Sequence, residues 1–197
     1  MSAENKTTLS ALPFSASTSQ NVAGGGVSAE SFQLRNSSEL KTLLTIDNRA
    51  PFVVLRALRG ERLTCARALR SGLATDAFSP QRVALRREGG TWVAHVEPLW
   101  QGYVLAEPAP GVTAEDLGAV GQLSQLESAL VRRLCGSSHV IPVSEGRIQS
   151  GQLTVLFGPL MGLEPLVRKI DRHKRLAWLE PEPGRRIPVG LEVTSKS

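Results

Sequence analysis

The chain has 197 residues, 41% of them apolar, and a formal net charge of +5, enough apolar mass to bury the core of one medium domain or two small ones. No apolar run approaches the ~20 residues that cross a bilayer, and Lys6 is not followed by the apolar stretch of an export signal, so a cytoplasmic protein with no membrane contact is expected. Cys65 and Cys135 lie far apart and belong to no CxxC pair, which argues against a disulfide framework and a cysteine zinc site.

The positive balance favours an anionic partner, and its placement is uneven. Residues 146–197 hold 9 Lys and Arg against 5 Asp and Glu, so most of the excess lies in the C-terminal quarter. There Arg168, Lys169, Arg172, Lys174 and Arg175 crowd into a short stretch with Asp171 as the sole acidic group, a local basic feature.

Residues 1–48 are rich in Ser, Thr, Ala and Asn, include Gly24, Gly25 and Gly26 in a row, and read as a flexible tail. The glycines are a linker and not a phosphate loop, since no strand precedes them and no Lys-Ser/Thr follows. Order is expected from Phe52, where Phe52-Val53-Val54-Leu55 suits a buried strand. Leu63, Ala66 and Leu69, with Cys65, recur at helical spacing over Glu61 to Arg70, predicting a helix packed on a sheet and stopped at Ser71-Gly72. Ala77 to Arg87 and Trp92 to Val96 read as strands joined by Glu88-Gly89-Gly90, and Gly102 to Glu107 as a third. Thr113 and Asp116 have capping-box spacing ahead of Leu123, Leu126, Leu130 and Leu134, predicting a second helix that ends at Cys135-Gly136. From Arg147 onward, short β runs alternate with turn residues, including a hairpin of Leu166–Ile170 and Leu176–Leu179 with its tip at Asp171–Arg175.

The expected fold is therefore α+β: a mostly antiparallel sheet with packed helices over residues 49–143, followed over 144–197 by a small all-β barrel. No reaction chemistry is visible. His95, His139 and His173 lack metal-ligand spacing, Ser137-Ser138-His139 lacks a nucleophile elbow, and no catalytic residue, metal or cofactor is expected.

Gly158-Pro159-Leu160-Met161-Gly162-Leu163-Glu164 followed by Ile170-Asp171-Arg172-His173-Lys174-Arg175 resembles the KOW motif of NusG-family transcription factors, most closely the antiterminator group called LoaP. Pro98-Leu99-Trp100-Gln101-Gly102-Tyr103-Val104 resembles the Pro-Leu-Phe-Pro-Gly-Tyr-Val signature of the NusG N-terminal domain. Phe52-Val53-Val54 stands where that domain opens with Trp-Tyr-Val, and Arg59-Gly60-Glu61 resembles its loop before the first helix. The sequence departs from the family at Phe52, Val53, Trp100, Gln101 and Pro165.

The resemblance, covering Pro51 to the C-terminus, implies a monomeric processive antiterminator. Its N-terminal domain would meet the clamp region of the largest RNA polymerase subunits through Trp100 and Tyr103, with Leu99, Phe52 and Val54 alongside or beneath. Its KOW domain would meet nascent RNA, such as a leader hairpin, through Arg168, Lys169, Arg172, His173, Lys174 and Arg175. Two other readings stay open: a general elongation factor whose barrel binds Rho or a ribosomal protein, and a ribosome-associated KOW protein that binds RNA. By burial statistics alone Trp100 and Tyr103 would be core residues, the basic tip a solvated turn, and Trp178 either a base-stacking or a core side chain.

Overall fold

A computed structural model describes Leu44 and residues 49–196; the expected tail lies almost wholly outside the described residues. The chain is α+β, with antiparallel and mixed sheets dominating over two helices.

The first sheet has the order β2-β5-β1-β6, formed by Ala74–Phe78 (β2), Tyr103–Pro108 (β5), Val53–Arg56 (β1) and Gly121–Gln122 (β6), all antiparallel. Val53, Val54 and Leu55 are buried on both faces of β1, as a central strand requires and as an unbroken apolar run foretells. Helix α1, Glu61–Arg70, packs on β2 and β5. Its packed side is not the leucine stripe: Leu63 and Leu69 are 64% and 44% exposed, whereas Ala68 is buried. Thr64, Cys65 and Ala68 turn inward at positions one helical turn apart, and their small size allows the helix to lie close to the sheet.

The second sheet, β4-β3-β7, pairs Gln81–Glu88 (β3) antiparallel with Thr91–Pro98 (β4) and parallel with Val140–Ile141 (β7). The β3–β4 ladder runs in register from Gln81↔Pro98 to Glu88↔Thr91, closed by Gly89 and Gly90, both at positive φ as this two-residue turn demands.

The second helix, α2, is Gln125–Cys135, which corrects the expected start at Thr113. Thr113 and Asp116 do bind reciprocally, but Gly118 takes a left-handed φ of 64° and the chain leaves the helical path. The cap that starts the helix is Ser124, whose Oγ accepts the Glu127 N–H at 3.1 Å while the Glu127 carboxylate accepts the Ser124 N–H at 2.8 Å.

The C-terminal strands form one sheet in the order β10-β11-β12-β8-β9: Val167–Asp171, Leu176–Glu182, Arg185–Lys196, Ser144–Gln149 and Gln152–Phe157 respectively. β12 and β8 are parallel, and the other pairs antiparallel. This corrects the expected barrel, because no hydrogen-bonded ladder joins β9 to β10. The segment between these edges fills the gap instead. Its Leu160, Leu163 and Leu166 are wholly buried, and the Glu164 carboxylate accepts the Val155 N–H of β9 at 3.1 Å, so an edge group is satisfied by a side chain in place of a neighbouring strand. Pro165 sits in a 3-10 turn over Glu164–Leu166. Gly158, at φ 102°, passes so near Ser144 that a Cβ would lie 2.7 Å from the Ser144 Cα, which accounts for a glycine there.

The hydrophobic core does not divide at residue 143. One cluster joins Phe52, Leu105, Leu130 and Leu134 with Leu160, Leu163, Leu179 and Leu191, and α2 lies in the middle of it. Polar contacts cross the same boundary: Ser124 Oγ to Glu182 at 2.9 Å, Arg185 to the buried Glu127 at 3.1 Å, and Arg133 to the Met161 carbonyl at 2.7 Å.

Candidate nucleic-acid interface

The basic tip is built by register and one turn. Ile170↔Ala177 and Asp171↔Leu176 close the β10–β11 ladder, and the Asp171 carboxylate accepts the Lys174 N–H at 3.0 Å, an Asx-type turn that fixes the loop. Arg175 takes a left-handed φ of 50°. Arg172, His173 and Lys174 are exposed, as is Lys169 on β10. Among the described residues no ion pair engages Lys169, Arg172 or Lys174, so their charge is available to a ligand.

Two of the six predicted RNA contacts also make ion pairs. Arg168 pairs with Glu180 at 3.8 Å. Arg175 pairs with Glu192 at 2.7 Å and lays its guanidinium over the Trp92 ring, 4.2 Å from the centroid. It is thus a cation–π clasp between the tip and the β3–β4 hairpin.

Trp92 of this clasp also lines a groove of about 380 Å³. β3 contributes Arg82, Ala84, Leu85, Arg86 and Arg87, β4 Trp92 and Glu97, and the tip His173, Lys174 and Leu176. Four full cations and a single carboxylate line it. That carboxylate, Glu97, bonds both Arg82 and Arg86. Burial pushes its pKa upward, but the hydrogen bonds and charges of Arg86 and Arg82 outweigh burial and hold it below the ordinary value. Arg86, Arg87 and Trp92 line this groove and were not among the residues expected from the sequence; the signal was an Arg pair one residue before the Gly89-Gly90 turn.

Trp178 lies between Ala177 and Leu179, both fully buried, and is itself only partly buried. Alternation therefore puts it on the outer face, opposite Lys169 and Pro188 in the ladders. An aromatic ring beside a lysine on an open sheet face can stack a base.

At a separate place, the bend between β4 and β5 carries Trp100 and Tyr103, both partly buried against the core. Glu61 of α1 fixes this bend, its carboxylate accepting the Gly102 N–H at 2.7 Å and the Ser79 hydroxyl at 3.0 Å. Phe52, Val54 and Leu99 are 1%, 3% and 9% exposed; they lie in the core against which Trp100 and Tyr103 pack. Phe52 packs edge-on against Phe78 and under the Arg132 guanidinium.

The histidines are dispersed. His95 pairs with Glu88, His139 with Asp76 while stacked on Phe78, and His173 lines the groove. Among the described residues no cluster of three or more His, Cys, Asp or Glu could hold a metal ion, and no helix is long and apolar enough to cross a membrane. Comparison with protein-family models and with curated proteins finds no match for this chain.

Proposed function

We propose that the protein is a NusG-like transcription elongation factor acting as a processive antiterminator in the cytoplasm, with residues 49–143 binding RNA polymerase and the KOW-like residues 144–197 binding nascent RNA. The observation that carries this reading is the β10–β11 tip, where Lys169, Arg172, His173 and Lys174 are all exposed and the partly exposed Trp178 stands nearby on the same sheet. Cations on a fixed turn beside an open aromatic ring are the means by which a protein holds phosphates and bases together. Support for the polymerase contact is the resemblance at Pro98 to Val104, with Trp100 and Tyr103 on a bend that Glu61 holds in place. A partly exposed aromatic pair on a rigid support suits an interface anchor.

Two weak contacts on one chain raise each other's effective concentration. Recruitment would then select transcripts that carry the RNA element, and the bound factor would shift polymerase from paused toward elongating states without chemistry of its own. The test is co-purification with core RNA polymerase. The native chain is expected to bind, and a Trp100→Ala, Tyr103→Ala variant with native circular dichroism to lose binding. An Arg172→Ala, Lys174→Ala variant should keep polymerase and lose RNA affinity. Failure of the native chain to bind polymerase would overturn the reading.

A further inference from the structure

We infer that RNA is held by a composite site spanning both parts of the chain, the groove between the β3–β4 hairpin and the β10–β11 tip, with Arg86 and Arg87 gripping phosphates from one side and Lys174 from the other. This rests on the RNA reading above and extends it to residues outside the KOW-like unit.

Two observations carry it. The groove is concave and of a size that accepts a small ligand or part of a chain. Its charge is unbalanced, because the one carboxylate, Glu97, already bonds two arginines, leaving Arg87 and Lys174 without an ion pair among the described residues.

The walls come from segments remote in sequence, yet they are locked together. Arg175 lies on Trp92 while also paired with Glu192. β12 comes so near β3 that a Cβ on Gly190 would lie 3.0 Å from the Val83 carbonyl oxygen. A site assembled before its ligand arrives loses little freedom on binding, and RNA bound across the two walls must in turn stabilise their packing. Arg175 and Trp92 are positioning residues here: they set the distance between the cationic walls.

The experiment measures binding of fluorescein-labelled oligouridylate, and in parallel of a labelled RNA hairpin, by the full chain across a salt series. For the single strand, the log–log salt slope of an Arg86→Ala, Arg87→Ala variant should fall by about 1.4, and that of Lys174→Ala by about 0.7. An Arg62→Ala, Arg70→Ala control on the exposed side of α1 should leave the slope unchanged. Trp92→Leu removes no charge, so its affinity loss should be seen at every salt concentration, with Arg86/Arg87 and Lys174 becoming less coupled in a double-mutant cycle. A slope unaltered by Arg86→Ala, Arg87→Ala but reduced by Lys174→Ala would place RNA on the tip alone, overturning the composite site and leaving the antiterminator reading intact. No RNA binding by the native chain would overturn both.

Discussion

Glu97 stands between Arg82 and Arg86 on the face of the β3–β4 hairpin. Its carboxyl is held below the ordinary value of 4.5, so its ionised form is bound more firmly in the folded chain than in the unfolded one. The contribution to stability is therefore complete above the ordinary carboxylate pKa and disappears as pH falls through the lowered folded value. A Glu97→Gln variant should be less stable than the native chain at neutral pH, and urea midpoints should show the gap closing on acidification; a gap independent of pH would mean that the ion pairs contribute nothing. Cys135 illustrates the opposite case, its thiol pushed up to about 12 by burial alone, which makes it inert at neutral pH. Single residues were unevenly legible in the sequence. Phe52 was expected in the core and is there, whereas nothing local distinguishes Arg175 from Lys174, and only the positive φ and the distant Trp92 separate a clasp from a free cation.

Among the elements, α2 shows where sequence signals compete. Thr113-Asp116 and Ser124-Glu127 have the same spacing of a hydroxyl and a carboxylate, and both form the reciprocal bonds. Only the second is followed by residues that can bury a face: Ala129, Leu130, Val131 and Leu134 line α2, while Gly118 and Gly121 interrupt the first. Ser124→Ala should cost about 1–2 kcal/mol, the upper part of the range for a lost cap, because the same hydroxyl also donates to Glu182 across to β11. The check is a lower urea midpoint at an unchanged m-value. For α1 the end points were legible from Glu61 to Arg70, but not the buried side. Leucine spacing favoured one face, and the sheet instead took the side with small residues, which lets the helix approach closely.

For the molecule as a whole, the polar and apolar contacts across residue 143 make one cooperative unit the expected behaviour. Heating should give one transition with equal calorimetric and van't Hoff enthalpies, and two resolved transitions would show that the C-terminal sheet unfolds independently. The joint core has a functional side. If polymerase and RNA contacts are borne by a single rigid body, the orientation of one ligand relative to the other is set before either binds.

By itself the sequence determined the local structure: the β1 run, the extent of α1, the Gly-Gly hairpin, the end of α2 and the basic hairpin with its tip at Asp171–Arg175. Each depends on residues near one another in the chain, through periodicity, turn chemistry or charge density. The tertiary structure decided which capping box begins a helix, how β9 and β10 remain apart with leucines between them, and which cations are free. It also brought Arg86, Arg87 and Trp92 beside His173 and Lys174. Those outcomes depend on packing between segments far apart in sequence, where steric fit and ion pairing override local preference.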